Sequence, residues 1–314
     1  MSAVSPPILS VDGLTKRFPG LTAIDGMSFS VAPGEVFGLV GPDGAGKTTT
    51  VRVLAGVLSP DGGRVTVDGI DVGADPEAVK ERVSYMPQRF GLYEDLTVDE
   101  NIRFYADLFG IARKVREERA ARLLAASDMT GFRRRLAGQL SGGMKQKLGL
   151  TCSLIHTPRI LLLDEPTTGV DPVSRRDFWR ILYSLREEGV TILVATAYLD
   201  EAERCTRLAL LHNGRIMYCD TPQALKQHMP GTVVKIATDA THAARDALLT
   251  VDGVSSARIV GDGVHAVVDD ARRRIPAIRR ALEAAGIAFG RIAAEPPSME
   301  DLFIALLQTE RPGA

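Results

Sequence analysis

Cysteine is scarce. Cys152, Cys205 and Cys219 are odd in number and carry no paired spacing. That argues against a disulfide framework or a thiolate metal cage and leaves reduced thiols of a cytosolic protein. The five histidines are scattered and suggest no metal cluster either. Charge of one sign is lacking as well. The 38 Lys and Arg against 39 Asp and Glu give a net charge of −1, with no long basic or acidic tail. No nucleic-acid partner is therefore expected. Apolar runs such as Ile160 to Leu163 are far too short to span a bilayer. The opening MSAVSPPILS has neither a charged n-region nor an apolar h-region, so no secretion signal is expected. Internal duplication and sustained heptads are also missing. A chain of 314 residues that is 45% apolar can still build a sizeable core, in one large domain or two.

The most informative stretch is Val36 to Thr50, VFGLVGPDGAGKTTT. An apolar strand candidate, Val36 to Val40, runs into glycines and then into a helix candidate, Lys47 to Ala55. Gly41 to Thr48 fits the phosphate-loop pattern G-x-x-x-x-G-K-[ST]. Glycines such as Gly41, Gly44 and Gly46 let successive backbone N–H groups point inward at phosphate oxygens. The helix N-terminus adds its positive dipole end. Lys47 supplies a mobile cation for the β and γ phosphates, and the Thr48 hydroxyl suits Mg²⁺.

Other segments acquire meaning beside that loop. Ile8 to Leu14 and Ser28 to Val31 read as strands, and Phe18 falls on the loop after the first. Phe18 either stacks on a nucleotide base or is a half-buried loop aromatic. Val83 to Met86 is a short apolar strand followed by Gln88. From Val98 to about Ser127 the apolar period becomes helical, which marks a helical block inserted into an α/β pattern. The run Arg133 to Arg135 is a solvated face or a contact for an anionic partner. Ser141, Gly142 and Gly143 open another helix, as a plain cap or a second phosphate-binding N-terminus. Ile160 to Leu163 reads as a buried strand ending in Asp164-Glu165-Pro166. Carboxylates at such a strand end lie where ligands bind in parallel sheets. Asp164 can hold Mg²⁺, directly or through water, and Glu165 can activate a water as general base. The alternative is a strand end capped by two solvated acids.

Together these motifs give a resemblance. From Leu9 to about His228 the chain resembles the nucleotide-binding subunits of ABC transporters. GPDGAGKTT is similar to the Walker A motif, which implies nucleotide contacts from Gly41, Asp43, Gly44, Ala45, Gly46, Lys47, Thr48 and Thr49. Gln88 sits where the Q-loop glutamine does, as a further nucleotide and Mg²⁺ contact. LSGGMKQ resembles the family signature, ILLLDEP resembles Walker B with its catalytic Glu165, and Gly169 to Asp171 matches the D-loop. Phe18 takes the place of the base-stacking aromatic. The resemblance implies an ATPase using ATP and Mg²⁺, with Glu165, Lys47 and Gln88 catalytic. Two such domains would dock head to tail, each ATP held by Walker A of one chain and by Ser141 and Gly143 of the other. Closure would pull on integral-membrane permease subunits through the Gln88 to Leu108 region and the helical block. The chain would then be cytoplasmic and peripheral on the inner face of the membrane.

Two departures from that pattern stand out. Asp43 replaces the usual Asn, and an acid near phosphates is tolerable only if it points outward. Ala197, in VTILVATAYLDEAE, stands where the family has a His. Losing one transition-state donor of this kind costs about 10²–10³ in rate. The expectation is tight ATP binding with slow hydrolysis, and a homodimer or a heterodimer with an intact ABC ATPase. The alternative is that another group does the work of the His.

After Pro230-Gly231 the pattern changes to strand (Thr232 to Ala237), helix (His242 to Leu249) and strand (Val254 to Val260). Strand (Val264 to Val268), helix (Ile275 to Ala285) and strand (Ile287 to Ala293) follow, with a turn at Gly261 to Gly263. That order predicts a ferredoxin-like unit. Ser298 with Asp301 resembles a capping box for a last helix, Met299 to Gln308. The tail EPPSMEDLFIALL also resembles that of ABC-2-type drug, antibiotic and lipid exporters, where the extra domain is thought to aid dimerisation or coupling. The expected architecture is an α/β phosphate-loop ABC-type ATPase domain over 1–230. It would have a mixed sheet and a helical subdomain at about 90–156. A small α+β ferredoxin-like domain over 231–314 would follow.

Overall fold

The computed structural model describes residues 6–261 and 263–309. The chain divides into two compact units between Thr221 and Pro222. The division precedes the expected break at Pro230-Gly231, so the short helix Pro222–Lys226 falls in the second unit. Residues 1–5 of the opening segment, and Asp262 in the expected turn, lie outside the described residues.

In the first unit two sheets share a core. One is antiparallel, in the order Leu21–Val31, Leu9–Phe18, Gly62–Val67, Ile70–Asp71. The other runs Arg215–Asp220, Arg207–His212, Val36–Val40, Thr191–Thr196, Ile160–Asp164, Val83–Met86. All its neighbours are parallel except the edge strand Arg215–Asp220. Val36–Val40, Ile160–Asp164 and Thr191–Thr196 are buried at every residue, as expected of parallel strands covered on both faces. Val51 and Leu54 of the helix Lys47–Leu54 pack into one core with Leu39, Leu162 and Leu193. The inserted helices are Val98–Leu108 and Arg113–Ala126, and the helix that Ser141 caps is Gly142–Leu154.

The N-terminal hairpin is longer than expected. Its second strand begins at Leu21, and Phe18 is no loop residue. It ends the first strand and pairs with Leu21 across the Pro19-Gly20 turn, where Gly20 adopts φ 77°.

The second unit holds a sheet in the order Val254–Val260, Gly263–Val268, Thr232–Ala237, Ile292–Glu295, antiparallel throughout. Helices Thr241–Leu248 and Ala271–Ala284 pack Leu248, Ile278 and Leu282 on Val234, Ile236, Val264 and Ala266. This is the ferredoxin-like arrangement. Two element boundaries differ from expectation. The second helix starts at Ala271, where the Asp270 side chain caps it, and Pro276 lies inside it. The last strand starts only at Ile292. Gly286 ends the preceding helix at φ 68°, and Ile287 bonds back to the Leu282 carbonyl and packs in the core. Ser298 and Asp301 form the expected capping box before the helix Met299–Thr309.

Candidate functional site

Strand register assembles the site. Val40 pairs with Thr196, Asp164 with Ala195, and Met86 with Leu163. The C-terminal ends of four parallel strands are therefore level. The phosphate loop, the Asp164-Glu165 pair, the Ala197 turn and the Gln88 segment emerge side by side, where open parallel sheets bind ligands.

The loop needs its glycines. A Cβ on Gly41 would lie 2.4 Å from the Leu211 carbonyl oxygen. Gly46, at φ 98°, precedes the helix that Lys47 opens. Lys47 is almost fully buried, and its ammonium donates to the Gly41 and Pro42 carbonyls at 2.9 and 3.0 Å. It also pairs with Glu165 at 3.2 Å. Asp43 points outward, with 96% of its side chain exposed.

Asp164 is buried and accepts the Thr48 hydroxyl at 2.9 Å and the Tyr85 hydroxyl at 3.3 Å. Burial pushes its carboxyl above the usual carboxylate range, against the lowering effect of the Thr48 bond. Glu165 adopts φ 49°, unusual for a residue with a side chain, while its N–H donates to the Ala195 carbonyl at 2.8 Å. Such a conformation costs about 1–3 kcal/mol and persists where neighbours enforce it. Gln88 donates its side-chain amide to Glu165 at 3.1 Å, and the Thr168 hydroxyl donates to the same carboxylate at 3.3 Å.

These groups surround one cleft of about 540 Å³. Phe18, Asp43, Gly44, Gly46, Lys47, Thr48, Thr49, Gln88 and Glu165 line it, as do Ala197 and Tyr198. Gly41, Ala45 and Asp164 are buried behind the lining. Ser141, Gly142 and Gly143 do not line the cleft. Ser141 caps its helix by accepting the Met144 N–H at 3.3 Å. A Cβ on Gly143 would lie 2.6 Å from Ser174, so the signature packs on the helix Pro172–Glu187 that Asp171 caps. Thr196 spends its hydroxyl on the Tyr198 N–H at 3.0 Å. The sequence reading did not include Leu21, Ala23, Tyr85 or Thr168 in the site. Only Thr168, three residues after Glu165, had a local signal.

Thr48 and Asp164 place two hard oxygen donors 2.9 Å apart beside a buried cation, a donor set that suits Mg²⁺. The remaining surface of the cleft is a curl of backbone at a helix N-terminus with one buried lysine, which suits a chain of phosphates.

Known proteins agree with this geometry. A family model described as ABC transporter matches residues 24–168. The chain is 50% identical over 226 residues to the probable multidrug ABC transporter ATP-binding protein YbhF of Escherichia coli. That match covers 71% of this chain but only 39% of YbhF. Similarity to the daunorubicin resistance ATP-binding protein DrrA2 of Streptomyces coeruleorubidus is 35% over 300 residues, covering 94% of this chain and 93% of that protein. The Nod factor export ATP-binding protein I of Ralstonia nicotianae is 36% identical over 308 residues, covering 98% and 95%. Among solved structures, an ATP-binding subunit of an ABC transporter superposes with a TM-score of 0.64 at 29% identity, covering 70% of this chain and 92% of that one. With near full-length relatives above 30% identity and a phosphate loop in this setting, the chain belongs to the ATP-binding proteins of ABC transporters.

Proposed function

We propose that this chain binds and hydrolyses ATP to power an exporter, docked on permease subunits at the inner face of a membrane. The observation that carries this reading is the convergence of Lys47, Thr48, Asp164, Glu165 and Gln88 on one cleft. The names of the near full-length relatives, drug resistance and Nod factor export, support export as the direction. No helix among the described residues is long and apolar enough to cross a membrane, so the reading assigns the membrane path to other subunits.

The chemistry follows from the residues. Phe18, 42% exposed at the mouth, offers its face to the adenine. The N–H groups around Gly44 and Gly46 and the Lys47 ammonium hold the phosphates. Lys47 is then drawn from its carbonyl and Glu165 partners toward the β and γ oxygens. Thr48, Asp164 and Gln88 would hold Mg²⁺, partly through water, and the ion would supply charge neutralisation between the phosphates. Glu165 takes a proton from the attacking water. The water oxygen bonds to the γ phosphorus as the bond to the β–γ bridging oxygen breaks, and ADP departs with that electron pair. Positioning and electrostatics supply most of the acceleration. Ser141, Gly142 and Gly143 serve the cleft of a second chain, the same or a different ABC ATPase.

A second reading has its own observation. Ala197, at the place of the family His, lines the cleft and has no side-chain donor to offer. A hydrolysis-poor chain that pairs with an intact ATPase is therefore the alternative. Steady-state hydrolysis and ATP affinity of wild type, Glu165→Gln and Ala197→His separate the two. The motor reading expects measurable turnover lost in Glu165→Gln with affinity kept. A gain of about 10² in Ala197→His assigns the weakened role. Failure of the wild type to bind ATP would falsify both.

A further inference from the structure

Behind the cleft, a buried cluster joins the segment after Glu165 to the turn at Ala197. Glu201 sits on the short helix Leu199–Ala202 and is fully buried. Its Oε1 accepts the Thr167 hydroxyl at 2.5 Å and the Trp179 indole N–H at 3.1 Å. Thr167 follows Glu165 and Pro166, and Trp179 belongs to the helix Pro172–Glu187. Arg175, on that same helix, stacks its guanidinium 4.1 Å from the centre of the Tyr198 ring and reaches Asp200 at 3.5 Å. Its Nε stands 4.0 Å from Glu201 Oε1. That Nε and the other Glu201 oxygen are both buried without a hydrogen-bond partner among the described residues.

Two neighbouring groups of opposite charge, each incompletely satisfied, are a costly way to fill space. Apolar side chains would pack the same volume at less expense. What the polar cluster gains is a rigid link between three segments that meet at the cleft. That link matters more here than it would beside a histidine. Ala197 has no side-chain donor, so only backbone and held water can act from this turn. Their effect depends on placement to well under an ångström.

We propose that Arg175 is a positioning residue for ATP hydrolysis. Its stack on Tyr198 fixes the Ala197 turn against the cleft, and Glu201 ties that turn to the segment carrying Glu165. This inference rests on the ATPase reading above. Arg175 acts through Tyr198 and touches no reacting atom itself.

The test uses the full chain with Arg175→Ala, Arg175→Lys, Tyr198→Leu and the Arg175→Ala/Tyr198→Leu double variant. Each is made in the wild-type and Ala197→His backgrounds, and kcat, KM and ATP affinity are measured. The Arg175 single variants are expected to lower kcat about tenfold while affinity stays within about twofold, since Arg175 lies outside the cleft lining; Tyr198→Leu, at a lining residue, is expected to match the loss in kcat. The double variant falls no further than the worse single, because both remove one link. Arg175→Lys stays near the Arg175→Ala level, since an ammonium does not reproduce the planar stack. If Arg175→Ala does not fold, Arg175→Lys carries the test, as it keeps a cation beside Asp200 and Glu201. Unchanged kcat, losses that multiply in the double variant, or affinity falling as far as kcat in the Arg175 variants would each overturn the inference alone. No turnover in either background overturns the ATPase reading and takes this inference with it.

Discussion

At Gly46 the backbone turns through φ 98° before Lys47 opens its helix, and a Cβ there would sit 2.6 Å from the Ala23 carbonyl oxygen. Two penalties therefore fall on one methyl group, a left-handed conformation and a clash with backbone that cannot swing aside. Gly46→Ala is expected to lower stability by about 2 kcal/mol and ATP affinity at least about tenfold. Chemical denaturation and nucleotide titration check the two numbers, and an unperturbed affinity would separate the loop from the binding role. At this scale much of the site was legible. Lys47, Thr48, Asp164, Glu165 and Gln88 lie in short stretches whose residue types have few other uses together. Tyr85 and Arg175 were not legible. They come to their partners, Asp164 and Tyr198, only through packing between segments far apart in the chain, whereas Leu21 was missed with the turn that follows Phe18.

Among the elements, the helix Val98–Leu108 starts on a reciprocal cap. The Thr97 hydroxyl accepts the Glu100 N–H at 3.2 Å, and the Glu100 carboxylate accepts the Thr97 N–H at 2.8 Å. That Thr97 N–H, with the Thr97 hydroxyl donating to the same carboxylate at 2.7 Å, holds the Glu100 carboxyl below the usual carboxylate range. Thr97→Ala removes the hydroxyl half of this reciprocal cap and is expected to destabilise the first unit by about 1 kcal/mol. A shift of the urea midpoint with unchanged slope is the expected readout. No shift would mean that the backbone bonds of Val98 and Asp99 to the Arg135 and Arg133 carbonyls fix the helix start alone. Strands buried on both faces were read to within a residue, because a short apolar run bounded by glycine or acid has few alternatives. The strand Leu21–Val31 was half missed for a physical reason. Its pairing with Leu9–Phe18 shifts register three times, and Gly26 breaks it at φ 67°, so no clean alternation survives in the sequence. The helix expected from Ile275 begins at Ala271 instead, with Pro276 inside it.

For the whole molecule, every residue lining the cleft falls between Phe18 and Tyr198, within the first unit. A chain ending at Thr221 is therefore expected to bind ATP within about threefold of the full chain, as binding energy resides in local contacts. Nucleotide titration of the two chains checks this, and a larger loss would assign the second unit a part in the site. The ferredoxin-like order of that unit was legible because each of its elements is short and separately punctuated. We propose that this unit aids dimerisation or coupling. Transport by the truncated chain in its native membrane measures that contribution.

The distance in role between the cleft and Ser141, Gly142 and Gly143 also bears on gene dosage. If a second copy of this same chain must complete each cleft, output in the dilute regime follows the square of the amount of protein. Halving expression would then remove about three quarters of the ATP turnover. A cell would feel a modest fall in supply as a steep loss of pumping.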